Sequence, residues 1–396
     1  MTETAGEVLE LVRSGRASTR SDLRRLTGMS RTAVVSRVTA LAESGLLLLG
    51  EELGSTGGRP PGSLLFNTGA GVVLAAAVGR SRSQVAVFDL LGAELGTSSI
   101  DHEIGAGPDD VMPVVAEHLA ALLAGPGAGS PVLGIGVSLP GTVDPERGVS
   151  VDSPVIGGWD DVDLAPYLAE LGTTPDLGAP IFVGNDADVL ARSERLGHAA
   201  TYDNLIVVKA STGLGLGIIA DGRVVSGHLG AAGEIGHTKV DAAQGRPCRC
   251  GDTGCLETVA AGWALIAQVA EAGHPADHIR DLTARAVAGD PEAKQLLRES
   301  GRRLGEVLAV ALNLLNPQAV VIGGDMAAAF DVYAAGVRES VYARASALAT
   351  RDLQILPSTF GDRAGLVGCA SMALDQVLSP AAIDARLSEK LATAGR

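Results

Sequence analysis

The sequence predicts an α/β chain with a small winged helix-turn-helix head and a body of two α/β lobes facing a cleft. Three observations predict it. Residues 1–66 hold three short helical stretches, then two apolar strand stretches with a Gly/Pro-rich loop between them. A strand–turn–strand opening occurs twice further on, at 71–91 and 205–225, the mark of a duplicated fold. Three of the four cysteines fall within eight positions, 248–255, behind His237 and among glycines.

A chain of 396 residues is too long for one compact core. We expect a head at 1–66, a first lobe at 70–190 and a second at 191–396, the C-terminal helix packing back on the first lobe. Hydrophobic residues are 46% of the chain but aromatics only 3%, so the core is Ala, Val and Leu packed against Gly. The net charge of −15 argues against nonspecific nucleic-acid binding by the whole molecule. The head differs from the rest: residues 1–65 carry eight arginines against seven acids, which turns a DNA-facing surface toward the head. No apolar run reaches the length of a membrane span, and the N-terminus lacks a signal-peptide pattern. Few, clustered cysteines fit a reducing, cytoplasmic compartment and no membrane partner.

In the head, residues 4–14 read as a helix with Val8, Leu9, Leu11 and Val12 on one side, ended by Ser14-Gly15. Ser18 or Thr19 caps a second helix that Gly28 stops. Ser30 caps a third, running to about Ser44, with Val34, Val35, Val38 and Leu41 as its apolar stripe. Residues 45–50 and 63–66 are the two strands of a wing around the loop 55–62. This is the helix-turn-helix layout. Ser30, Arg31, Thr32, Ser36 and Arg37 are the candidate base and phosphate contacts in a major groove, and Arg59, stiffened by Pro60, the candidate minor-groove contact. The alternative for this head is a small helical bundle serving protein contacts.

In the body, residues 72–78 and 84–89 form the first opening, and 205–209 and 218–220 the second, with 211–217 as the turn between. Residues 133–139 form a strand leading into Pro140-Gly141. A strand at 181–187 delivers Asn185 and Asp186 at its C-terminal end, where α/β folds contact ligands, with a helix at 188–196 behind it. Asp186 alone would read as a helix cap. Thr212, Gly213, Gly215 and Gly217 make a candidate phosphate loop. His237, Cys248, Cys250 and Cys255 make a Cys3His set suited to a closed tetrahedral Zn²⁺ site of structural type. The alternative is ordinary reduced thiols beside a satisfied histidine. Glu234 and Glu257 flank the set, where a rigidly held carboxylate accepts hydrogen bonds from ligand hydroxyls. Helices fill 258–315, with His274 and His278 at the surface. Residues 364–377 read as a packing helix with Cys369 as a core thiol, and 380–396 as a polar helix.

The run Gly233-Glu234-x-Gly236-His237, then Cys248-x-Cys250-Gly251-x-x-Gly254-Cys255-x-Glu257, resembles the ROK family of sugar kinases and sugar-responsive repressors. The resemblance covers the chain from about residue 70 onward, and the head looks like the winged helix of the family's repressors, which its kinases lack. It implies an actin-like (ribonuclease-H-like) sugar-kinase fold for the body. It also implies that Asp186 sits where the kinases keep their general base, and that Asn185, Glu234, His237 and Glu257 contact the sugar. Thr212, Gly213, Gly215 and Gly217 match the second glycine motif, and Gly323 and Gly324 the glycine turn near the adenosine. Two departures stand out. Val155 fills the slot of an asparagine that holds a sugar hydroxyl, which changes the sugar that fits. The first phosphate motif, Asp-x-Gly-Gly-Thr, reads Ala77-Val78-Gly79-Arg80-Ser81, without the metal-organising acid.

The sequence therefore reads as a sugar-responsive transcriptional regulator without kinase activity, in its simplest form a repressor. Its partners are an inverted-repeat operator and a sugar effector, and it acts as a homodimer or homotetramer. One alternative is an ATP-dependent, glucokinase-like sugar kinase carrying a DNA-binding head. Another is a sugar-binding scaffold with no DNA role.

Overall fold

The computed structural model describes residues 4–52, 62–103, 105–144, 147–151, 157–171 and 179–394. Arg59 and Val155 lie outside the described residues, as does nearly all of the wing loop.

The head is built from capped helices. In α1 (Ala5–Arg13), Thr4 and Glu7 form a reciprocal capping box, and Thr19 and Asp22 do the same for α2 (Arg20–Thr27). Gly28, at φ +71°, ends α2 in the left-handed region. The Ser30 hydroxyl accepts from Ala33 N to start α3 (Arg31–Glu43). Val34, Val38 and Leu41 are fully buried against Val8, Leu9 and Leu23. Val35 is not part of that stripe: it is 43% exposed. One residue turns a helix by 100°, so Val35 points with Arg31, Thr32 and Thr39 instead. β1 (Leu47–Glu52) pairs antiparallel with β2 (Gly62–Phe66), Leu47 opposite Phe66. β1 starts two residues later than the sequence suggests because Gly45, at φ +83°, is spent in the turn after α3.

The body contains two sheets of one topology. The first runs β5-β4-β3-β6-β9, with β3 (Val72–Val78), β4 (Arg82–Asp89), β5 (Glu94–Asp101), β6 (Val132–Leu139) and β9 (Ile181–Asn185). The second runs β12-β11-β10-β13-β14, with β10 (Leu205–Ala210), β11 (Leu214–Ala220), β12 (Arg223–Val224), β13 (Ala319–Gly323) and β14 (Gln354–Pro357). In each, three antiparallel strands are followed by two parallel ones, so the two openings seen in the sequence are the first hairpins of equivalent sheets. A small hairpin, β7 (Val143–Asp144) with β8 (Val149–Ser150), stands beyond the end of β6.

Helices cover both sheets. α4 (Pro108–Ala124) and α5 (Ala165–Leu168) close one side of the first, around a core that includes Met112 and Trp159. α7 (Glu257–Ala260), α8 (Gly262–Glu271), α9 (Ile279–Val287), α10 (Pro291–Leu315), α11 (Phe330–Arg344) and α12 (Ala347–Thr350) belong to the second. Between the sheets lie α6 (Asp186–Glu194) and α13 (Ala364–Val377), pressed so closely that a Cβ on Gly368 would stand 1.9 Å from the Val189 carbonyl. α6 begins two residues before the helix read from the sequence, because Asn185, not Asp186, caps it. α13 also crosses β6, where a Cβ on Gly136 would meet the Cys369 carbonyl at 2.1 Å. Cys369 is fully buried there, and burial pushes its thiol up to about 12.

α14 (Pro380–Ala394) follows α13 and reaches the head. Ile383 is fully buried, Gly6 N donates to Asp384 Oδ1 at 3.0 Å, and a Cβ on Gly6 would strike the Pro380 backbone. The chain from the cleft helices to α1 is therefore continuous packing. Among the described residues no single helix is long and apolar enough to cross a membrane.

Candidate effector cleft, metal centre and DNA-facing helix

A cleft of about 900 Å³ opens between the two sheets. Asn185, Asp186, Glu234, His237 and Glu257 all line it. Asn185 arrives at the end of β9 with its amide already engaged. Its Oδ1 accepts from Ala187 N at 2.8 Å and Asp188 N at 3.2 Å, and its Nδ2 donates to the Gly141 carbonyl at 2.7 Å. One N–H remains for a ligand, so its first duty is to fix the start of α6.

Asp186 opens α6 and meets Lys209 of β10, Nζ to Oδ2 at 2.5 Å. Burial acts to lower the pKa of Lys209, but the Asp186 carboxylate outweighs it and holds the value above that of an ordinary lysine. Sequence reasoning missed Lys209. The signal was a lone cation inside the apolar strand Leu-Ile-Val-Val-Lys-Ala. Glu234 is exposed to the cleft, and Thr142 of the first lobe donates to its Oε1 at 3.5 Å. Desolvation between the walls raises its pKa; His237 acts against this, and Asp186 and Glu257 add to it. Glu257 is buried, accepting from Leu214 N at 2.7 Å and from Trp263 Nε1 at 3.1 Å. It braces the turn before β11 and keeps the remaining lone pairs of its oxygens for a ligand.

The glycines divide into two roles. Thr212 and Gly213 form a turn on the cleft wall. Gly215 and Gly217 lie inside β11 rather than in a loop, where a Cβ would stand 2.8 Å and 2.5 Å from the β-carbons of Ala187 and Ala191. They let α6 lie close on the sheet. Gly323 ends β13, and Gly324, at φ +87°, turns the chain against Ala210; both line the cleft. His278, read as a surface residue, also lines the cleft, its Nδ1 accepting from Arg280 N at 3.1 Å.

The ligand atoms of His237, Cys248, Cys250 and Cys255 lie within 4.8 Å of one another. His237 Nδ1 is 3.8 Å from Cys248 Sγ, and the sulfurs of Cys250 and Cys255 are 3.7 Å apart. Thiolates about 2.3 Å from a zinc ion stand about 3.8 Å apart along a tetrahedral edge, so the donor set fits the metal. Gly251 and Gly254, at φ +87° and +80°, make the tight returns of the loop. Lys239 Nζ donates to Cys255 Sγ at 3.1 Å and pairs with Asp252 at 2.7 Å, placing a cation beside the thiolates.

On the head, Ser30, Arg31, Thr32, Val35, Ser36 and Thr39 are exposed and Arg37 is half-buried. Of these, Val35 and Thr39 are not among the DNA contacts expected from the sequence, which places Val35 in the buried stripe instead. An exposed aliphatic side chain on such a face suits a thymine methyl group.

The ROK family model matches residues 73–376, most of the chain, and the chain belongs to that family. It is 28% identical to the xylose repressor of Bacillus subtilis over 363 residues, 91% of each chain. The crystal structure of a ROK family transcriptional regulator, a homologue of the Escherichia coli Mlc protein, is similar with a TM-score of 0.77 at 30% identity. It covers 97% of this chain and 98% of that one, a share too large to omit residues 1–66. A ROK glucokinase from Streptomyces griseus, in complex with glucose and AMPPNP, gives a TM-score of 0.64 at 28% identity. It covers 76% of this chain and 99% of that one.

Proposed function

We propose that this chain is a sugar-responsive DNA-binding transcriptional regulator, a repressor whose operator binding is modulated by a mono- or oligosaccharide or a sugar derivative in the cleft. The observation that carries this reading is the outward face of α3. Arg31, Thr32, Val35 and Ser36 are exposed on a head joined through α14 to the helices that wall the cleft. The head corresponds to residues 1–66 and the lobes to 70–190 and 191–396, with α13 returning to the first sheet. Sugar hydroxyls bind Asp186, Glu234 and Glu257, with Asn185 and His237 beside them. These groups come from both sheets, so a ligand touching all of them favours one relative position of the lobes. α6 and α13 carry that difference to α14 and α1. A zinc ion on His237, Cys248, Cys250 and Cys255 would supply structural rigidity to the loop that ends in Glu257.

Kinase activity is not expected. Ala77 stands where the fold's phosphate motif needs an acid, and Arg80 occupies the place of its second glycine. Lys209 already occupies one oxygen of the Asp186 carboxylate in an ion pair. Losing metal organisation alone removes several kcal/mol of barrier lowering, by order of magnitude. One titration tests both halves of the reading. Full-length protein with ATP, Mg²⁺ and a sugar panel should show a rise in melting temperature with at least one sugar and no sugar-dependent ADP release. Turnover that disappears in Asp186→Asn would establish the kinase alternative.

Exposed aliphatic side chains on the second lobe make a candidate surface for self-association. Val310, Leu314 and Leu315 of α10 are 59%, 78% and 43% exposed, and Leu348 of α12 beside them is 68% exposed. Exposed apolar side chains of this size, Val310 and Leu314 one turn apart on α10, support a homodimer, which would present two heads to an inverted repeat. Leu314→Glu should shift the light-scattering mass toward the monomer and weaken operator binding. An unchanged mass would place the interface elsewhere.

A further inference from the structure

The Glu257 carboxylate is held from behind the cleft. The residue is 6% exposed, and each of its oxygens has a protein donor: Leu214 N on Oε1 at 2.7 Å and Trp263 Nε1 on Oε2 at 3.1 Å. A donor on each oxygen fixes the plane of a carboxylate, whose last torsion is otherwise broad. The Leu214 donor is backbone at the start of β11 and cannot move alone. The Trp263 donor sits on a side chain, so its aim depends on what holds the indole. The Trp263 backbone N–H donates to the Thr212 carbonyl at 3.1 Å, which places the residue near the start of α8 but not its ring. The ring is met by Arg249, whose guanidinium carbon lies 4.6 Å from its centre. Arg249 stands between Cys248 and Cys250, two of the four candidate zinc ligands. Partial burial acts against its charge, and Glu257 and then Cys248 act for it. Glu257 lines the cleft, whereas Arg249 and Trp263 are not among the described residues that do.

We infer that Trp263 is a positioning residue for Glu257 and that Arg249, stacked on the indole, keeps it so, which couples the Cys248–Cys255 loop to the sugar hydroxyls. The inference rests on the sugar-binding reading above. A hydroxyl bound at Glu257 needs the lone pairs that the two donors leave free, so a carboxylate turned out of plane binds it less well. A cation over the ring also draws charge from the indole and strengthens its N–H as a donor. The coupling runs both ways: a ligand that pulls on the Glu257 carboxylate changes the hydrogen bond of Trp263. The chain has two tryptophans, and the other, Trp159, is buried in the first lobe with its Nε1 on the Ala106 carbonyl. Trp263 is thus placed as an optical reporter of the effector.

Calorimetry and tryptophan emission on the full chain test this with a panel of pentoses, hexoses and N-acetylhexosamines. The best sugar of the panel should change the emission of wild type. Trp263→Phe keeps a ring for Arg249 and removes the N–H donor. Its affinity for that sugar should fall at least fivefold with metal content unchanged, and the emission left to Trp159 should not respond to saturating sugar. Arg249→Ala should weaken binding and shift the emission of the unliganded protein, and Arg249→Lys, which keeps a cation, should recover part of both. Melting temperatures report the folding of each variant. A loss smaller than fivefold in a folded Trp263→Phe would overturn the positioning role and leave the sugar reading in place. So would an emission response of wild-type size in that variant, or an Arg249→Lys no better than Arg249→Ala. No binding of any sugar by wild type would overturn the sugar reading itself, and this proposal with it.

Discussion

Replacing Cys255 by serine should remove the proposed zinc ion and, with it, the response to sugar. Cys255 is fully buried and two residues ahead of Glu257. Between them Leu256, also fully buried, anchors the segment by donating its backbone N–H to the Thr238 carbonyl at 2.9 Å. The same loop carries His237 and Glu234, held against β11 so tightly that a Cβ on Gly233 would sit 1.7 Å from the Leu216 carbonyl. Freed of its metal, the loop loses an interaction worth about 10 kcal/mol in small zinc domains at neutral pH. Part of that loss is local here, since the rest of the lobe has its own core. Elemental analysis should find one zinc per wild-type chain and none in Cys255→Ser. The melting temperature should fall, and the best sugar of the panel should bind at least tenfold more weakly. Wild-type protein that holds no metal while binding sugar normally would reject the zinc site.

Thr32→Glu should abolish specific operator binding without unfolding the head. Thr32 is exposed in the first turn of α3, where an acid interacts favourably with the helix dipole, so the substitution does not threaten the fold. On DNA the same carboxylate would face phosphates and base-edge acceptors. Losing a good base contact costs about 1–3 kcal/mol, and an opposed charge adds to it, so affinity should fall by about a hundredfold or more. Far-ultraviolet circular dichroism should be unchanged while gel-shift affinity is lost. Operator affinity within threefold of wild type would mean that α3 is not the reading helix.

Much of this was legible in the sequence because it is local. The Cys3His spacing is carried by one loop whose glycines define its turns, and the caps at Thr19 and Ser30 sit one residue before their helices. What was not legible depends on distant partners. Lys209 finds Asp186 only because β10 and the end of β9 meet across α6. Gly215 and Gly217 look like a phosphate loop but exist to let Ala187 and Ala191 approach, a contact between separate segments. Val35 was assigned to the buried stripe because a run of two valines cannot say which faces inward. The docking of α14 on Gly6 joins the two ends of the chain, and no periodicity encodes that.

The central claim is a head that reads DNA under control of a ligand in the body. Fluorescence anisotropy on the chain's own upstream intergenic DNA, at fixed salt, tests it most directly, with sugars and sugar derivatives added in turn. The account predicts specific binding that at least one of these compounds changes by tenfold or more, and loss of that change in Glu234→Ala. Specific binding that no sugar or sugar derivative alters, or ligand binding by a chain with no specific DNA site, would contradict it.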